Sequence, residues 1–210
     1  MMMRRLAAWL RIGVAAILAL AAHAASADEL ANDGYVEGGS AAFQGGFVAG
    51  EIGAVRLVPA QGPVTVERVR FLFGGAAVGR DVVLHHWDDS AEALAPGAEL
   101  YSGIHSVIGF DTALQEINIS GESIVVTGPF RVGIEFVSDG VPSIARDADG
   151  TIDASRNFAF VLDRGWIGAP TFGSTGDWVI RAVVVPEPDG AAAASLVALV
   201  WLARRRAPLR

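Results

Sequence analysis

The sequence predicts an all-β fold, an antiparallel β-sandwich of jelly-roll-like character, flanked by an N-terminal signal helix and a short C-terminal apolar helix. Three observations carry that expectation. From Phe47 to Val185 the hydrophobic residues fall in short alternating runs, the period of a half-buried strand. Gly, Pro, Asp or Ser breaks those runs about every eight to twelve residues, the spacing of turns in sandwiches. No helical period in that stretch persists beyond about three turns.

The chain of 210 residues begins MMMRRLAAWLRIGVAAILALAAHAASADEL. Arg4, Arg5 and Arg11 precede an apolar run from Ile12 to Ala22, and small residues at Ala25 and Ala27 follow. That order is the signature of a secretory signal peptide, residues 1–27, cut after Ala27 with Ala24 as the second choice. The apolar run, about 11 residues, falls well short of the roughly 20 needed to span a bilayer. Residues 28–46 are rich in Gly, Asp and Ala and poor in large apolar side chains, so they read as a flexible lead-in to a domain over 47–185.

Within the domain the clearest strand is PFRVGIEFVS. Phe130, Val132, Ile134 and Phe136 share the core face, and Arg131, Gly133 and Glu135 the wet one. DWVIRAVVV likewise sets Trp178, Ile180, Ala182 and Val184 against a face that includes Arg181. In PVTVERVRFLF the apolar parity changes between Val66 and Val69, which would expose half the hydrophobics of an uninterrupted strand. A bulge or bend near Glu67 and Arg68 repairs it. GAVRLV, DVVLHHW, SVIGF, EINI, SIVVTG and NFAFVLD are further strands, and this number fits two packed sheets. WDDSAEALAPGAEL is a long acidic loop that turns at Pro96 and Gly97, and RDADGTIDASRN is a second. The runs Trp87–Asp89, Pro96–Leu100, Val126–Phe136 and Gly176–Val184 resemble a set of uncharacterised secreted bacterial β-sandwich domains. What is shared is core and turn residues, so the resemblance implies the fold and no activity.

Composition excludes several functions. There is no cysteine, hence no disulfide, no thiol nucleophile and no lipoprotein anchor. All sixteen basic residues are arginine, and seven of them (Arg4, Arg5, Arg11, Arg204, Arg205, Arg206, Arg210) lie in the terminal segments. All acidic residues except Glu187 and Asp189 lie between Asp28 and Val185. A domain this acidic repels phosphate backbones, so nucleic acid is not an expected partner.

Candidate chemistry is sparse. In LHHWDD, alternation sends His85 and His86 to opposite faces, so the pair cannot converge on one ion, although His86 and Asp88 can. Asp147, Asp149 and Asp153 around Gly150 have the alternating oxygens and permissive glycine of a partial calcium loop. Placing Gly150 at the glycine of an EF-hand-like loop would put Ala145 and Arg156 where ligands belong, so an ordinary Asp-Gly turn competes with calcium as the reading. No Gly-x-Ser-x-Gly elbow exists for a serine hydrolase. Exposed aromatics on a sandwich can stack on sugars. Trp166, in the polar turn DRGWIGAP, is the candidate platform, with packing as its alternative role; Trp178 alternates with core residues and is expected to be buried.

The tail reads VPEPDGAAAASLVALVWLARRRAPLR. Its apolar part, Ala191 to Ala203, spans about 20 Å as a helix, a marginal anchor that Arg204, Arg205 and Arg206 extend by snorkelling. Under the positive-inside rule those arginines stay cytoplasmic and the domain lies outside. The order VPEP, apolar helix, RRR at the C-terminus behind a signal peptide resembles the PEP-CTERM sorting signal of Gram-negative bacteria, over residues 186–210. The resemblance implies that Pro186, Glu187 and Pro188 are read by an exosortase, a membrane-embedded protease that processes the tail in an envelope tied to exopolysaccharide. The Ala-rich helix carrying Trp201 and the APLR extension depart from the pattern.

The expectation is therefore a non-catalytic protein that needs no cofactor, is secreted to the cell envelope or extracellular matrix, and is transiently membrane-anchored by its tail. Its expected partners are an exosortase, the membrane before processing, and exopolysaccharide. A carbohydrate-binding module, calcium-assisted, is the alternative, and a hydrolase the third.

Overall fold

The alternation of the sequence resolves into two main sheets and a small third one in the computed structural model, which describes residues 26–187. One sheet runs in the order β1 (Asp28–Leu30), β14 (Ile180–Pro186), β4 (Val64–Phe71), β8 (Gln115–Asn118), with β9 (Ile124–Val126) also paired to β4. The second runs β13 (Gly165–Gly168), β12 (Asn157–Val161), β3 (Ile52–Leu57), β10 (Phe130–Phe136), β6 (Gly79–Asp88), β7 (Glu99–Ile108). A small third sheet joins β2 (Ala41–Phe43), β11 (Ser143–Asp147) and β5 (Phe73–Gly74). Neighbouring strands pair antiparallel, as an all-β sandwich requires. The terminal helices expected from the sequence fall on residues outside those described.

The core lies between the two main sheets. Phe130, Val132, Ile134 and Phe136 of β10 bury one parity completely, against Ile180, Ala182 and Val184 of β14 and Val64, Val66, Val69 and Phe71 of β4. Each of these side chains except that of Ala182 contributes about 1.5–3 kcal/mol by leaving water. Phe47 stacks on Phe136 and on Phe172 of the short helix α1 (Ala169–Phe172), at 4.5 Å between ring centroids in both pairs. Trp178 is fully buried as expected, and its indole N–H donates to the Phe158 carbonyl at 3.0 Å.

Strand β4 shows how the parity change is accommodated. Val64 and Val66 are buried while paired with β9, and Val69 and Phe71 are buried while paired with β8. The switch falls at Glu67 and Arg68, both half-buried, where the chain passes from one partner to the other. The bend expected at those two residues is thus the handover between partners.

Two expectations are corrected. Residues 28–46, expected as a flexible lead-in, belong to the compact unit Ala27–Val185. β1 pairs Leu30 with Ala182, Tyr35 is buried, and the Arg181 guanidinium donates to both Asp33 oxygens and to the Tyr35 carbonyl. The Asp33 contact raises the Arg181 pKa, so the segment is tied down by a permanent cation. The second correction concerns β10, whose Arg131 is fully buried and not wet. The acidic loop 89–98 supplies the acceptors that cover it.

Candidate functional site

The outward face of the six-stranded sheet carries the polar and aromatic residues that the core excludes. Its layout follows from the register. Phe160 of β12 pairs with Trp166 and with Ile52, and Ile52 in turn pairs with Glu135. One row along, Phe158, Ala54, Gly133 and His85 lie side by side. In the next row Arg56, Arg131 and Trp87 are neighbours, and Glu99 follows Trp87 after a register shift.

At the third row two guanidiniums share one carboxylate oxygen. Asp89 Oδ2 accepts from Arg56 Nε at 2.8 Å and from Arg131 Nε and Nη2 at 3.0 and 2.8 Å. The remaining donors go to the carbonyls of Ala93, Leu94 and Ser155, so the arginines also pin the 89–98 loop. Arg131 lies 3.7 Å over the Phe158 ring and 5.2 Å from the Trp166 ring centroid. Burial lowers the Arg131 pKa and Asp89 opposes that shift, which keeps the cation where water cannot reach it.

Above the small pair Ala54 and Gly133 the aromatics close in. A Cβ on Gly133 would sit 2.7 Å from the Trp87 ring, so only glycine lets that indole lie down on the sheet. Trp87 meets Trp166 edge-on at 5.5 Å, and Phe160 meets Trp166 at 5.7 Å. Trp87 is buried, while Trp166 and Phe160 stay half-exposed. His85 stacks on Trp87 at 4.9 Å and is held between two carboxylates, Nδ1 2.6 Å from Glu99 Oε1 and Nε2 2.9 Å from Glu135 Oε2.

His86 points the other way, as alternation requires. It is fully buried between Tyr101 and Phe130, and neither ring nitrogen has a partner among the described residues. Burial, with a smaller contribution from His85, lowers its pKa to about 3, so it is neutral and structural in use. Asp88 does not join it, because its carboxylate accepts from Ser90.

The acidic loops gather aspartates at another part of the domain. Asp147 accepts from the backbone N–H of Gly34 at 2.8 Å and of Asp177 at 3.0 Å, and Asp177 accepts from the N–H of Asp153 at 2.8 Å. Burial, together with neighbouring aspartates, raises the pKa of Asp147 and of Asp177. Asp149 and Asp153 turn to their own loops, accepting from Thr151 and Ser155. Among the described residues no three His, Cys, Asp or Glu side chains are grouped as a metal centre.

Trp166 thus lies on strand β13 beside Trp87 and Phe160, in a segment expected as a turn. Pro186 closes β14 and Glu187 follows it; Pro188, Arg204, Arg205, Arg206 and Ala25 lie outside the described residues, and Ala27 is at their edge. The residues that sequence reasoning missed are Glu99 and Glu135, which no local spacing connects to His85, and the pair Arg56 and Arg131.

No family model and no curated protein matches the chain. Two solved structures are similar. One holds the cysteine protease and lectin-like domains of Cwp84, a surface layer associated protein of Clostridium difficile; identity is 12%, TM-score 0.47, and the match covers 67% of this chain and 33% of that one. The other is the clostridial cysteine protease Cwp84 after propeptide cleavage, at 11% identity, TM-score 0.47, 67% of this chain and 37% of that one. The chain spans about a third of the length of these structures.

Proposed function

We propose that this chain is a non-catalytic, secreted β-sandwich protein, sorted by an exosortase-type system to the cell envelope or extracellular matrix and associated there with exopolysaccharide. The order of its terminal segments carries the reading: a signal peptide in front, and Pro186–Glu187–Pro188, an apolar stretch and Arg204–Arg206 behind. The domain between is consistent with a life outside the cell, since it is acidic, free of cysteine and held by core packing. Deleting the exosortase of the producing bacterium tests it. Unprocessed protein should then accumulate in the membrane fraction, and unchanged processing and distribution would overturn the sorting claim.

A second reading, a carbohydrate-binding module, is favoured by one observation. Half-exposed Trp166 and Phe160 sit on the same sheet face as the Glu99, His85 and Glu135 cluster. Aromatic rings beside fixed hydrogen-bond acceptors are suited to sugar rings, which present both apolar C–H faces and hydroxyl donors.

A further inference from the structure

We propose that the outward face of the six-stranded sheet around Trp166 is a glycan subsite that takes neutral or amine-bearing pyranoses and rejects uronates. The proposal rests on the association with polysaccharide proposed above, and gives it a place and a charge preference.

The aromatic half of the subsite is Trp166 and Phe160. Both are half-exposed, and both are braced from the side by other rings, so they present flat apolar surface at little entropic cost. Trp166 is further fixed by the Arg131 guanidinium 5.2 Å from its centroid. The polar half is Glu135 and Glu99. His85 holds one oxygen of each, while Glu135 Oε1 and Glu99 Oε2 have no hydrogen-bond partner among the described residues. Anchored on His85 through their other oxygens, the two carboxylates are held in place before any ligand arrives and can accept from hydroxyl or ammonium donors at reduced entropic cost.

Register fixes the separation of the two halves. Phe160 and Glu135 stand two strands apart with Ile52 between them, roughly 10 Å. A ligand that engages both is therefore longer than a single sugar ring. Charge fixes the preference. Asp81, Glu99 and Glu135 lie on this face, while Arg56 and Arg131 are buried with their donors committed to Asp89 and to carbonyls. At the β12–β13 turn Arg164 is offset by Asp163. The accessible charge is thus carboxylate, which repels uronic acids, leaves neutral sugars unaffected and attracts amines.

The test uses the purified protein with a glucosamine hexamer, cellohexaose, hexagalacturonate and the exopolysaccharide of the producing bacterium, read by tryptophan fluorescence and calorimetry. Expected are binding of the first two, with the glucosamine hexamer tighter and weakened by salt, and none of hexagalacturonate. Trp166→Ala should weaken both by tenfold or more. Glu135→Gln should abolish the advantage of the amino sugar while keeping cellohexaose within about threefold. Glu135 is partly exposed, so this variant carries the test even if loss of Trp166 unfolds the sheet edge. Wild-type-like binding of exopolysaccharide by both variants, or equal binding of hexagalacturonate, would overturn the subsite and leave the association standing. No binding of any probe by the wild type would overturn both.

Discussion

Removing the Asp89 carboxylate should be among the most damaging single changes in the domain. Its Oδ2 is the shared acceptor for three N–H groups from two guanidiniums, of which Arg131 is fully buried and Arg56 nearly so. In Asp89→Ala those two like charges remain side by side without a counter-ion, and the carbonyls of Ala93, Leu94 and Ser155 alone cannot neutralise them. Breaking a buried ion pair from one side costs about 3–5 kcal/mol. For a domain whose total stability is about 5–15 kcal/mol that is a fifth or more, and a fall in Tm of about 6–20 °C. Asp89→Asn keeps shape and one acceptor and should lose less. Urea titration at pH 7 measures both, and an unchanged m-value is expected because the native surface is otherwise preserved. The 89–98 loop, anchored by the same donors, should also become the first site of proteolysis in Asp89→Ala. A loss below about 1 kcal/mol would instead mean that the arginine heads are solvated and that Asp89 is not their buried counter-ion.

Gly133→Ala places a methyl 2.7 Å from the Trp87 ring and 2.9 Å from Ile52, and should cost about 1–3 kcal/mol with a changed near-ultraviolet tryptophan spectrum. His86→Phe removes two buried, unpartnered nitrogens from a pocket lined by Tyr101 and Phe130 and should stabilise the fold by about 1–2 kcal/mol at neutral pH. The same residue should contribute to the acid lability of the fold. Its folded pKa of about 3 lies below the ordinary histidine value of 6.5, so the unfolded state binds the proton first. Stability should therefore be whole above about pH 6.5 and fall by up to about 1.4 kcal/mol per unit between there and pH 3. In His86→Phe that part of the slope should vanish; an unchanged slope in equilibrium unfolding would assign the acid lability to other groups.

The sandwich was legible because each strand buries one parity, and alternation in a sequence is local. β10, β14 and the parity change in β4 can be read from Val64 to Phe71, Phe130 to Phe136 and Trp178 to Val184 for that reason, whereas the handover from β9 to β8 needs the pairing itself. Opposite faces for His85 and His86 follow from the same rule. The failures all depend on distant partners. An arginine at an alternating position reads as solvent-facing, and only Asp89, 42 residues earlier, and its loop make Arg131 a buried group. The three-residue strand β1 has a single large apolar side chain, Leu30, and owes its place to β14 and Arg181, about 150 residues away. Trp166 sits between Gly165 and Gly168, which read as a turn, but pairing with β12 makes a strand of them. Glu99 and Glu135 reach His85 from 14 and 50 residues away, a convergence that no motif encodes.

Intact-mass measurement of the protein recovered from its native envelope tests the proposed delivery most directly. The expected product begins at Asp28 and has lost the C-terminal arginines. A mature chain that still ends in Arg210 would contradict it.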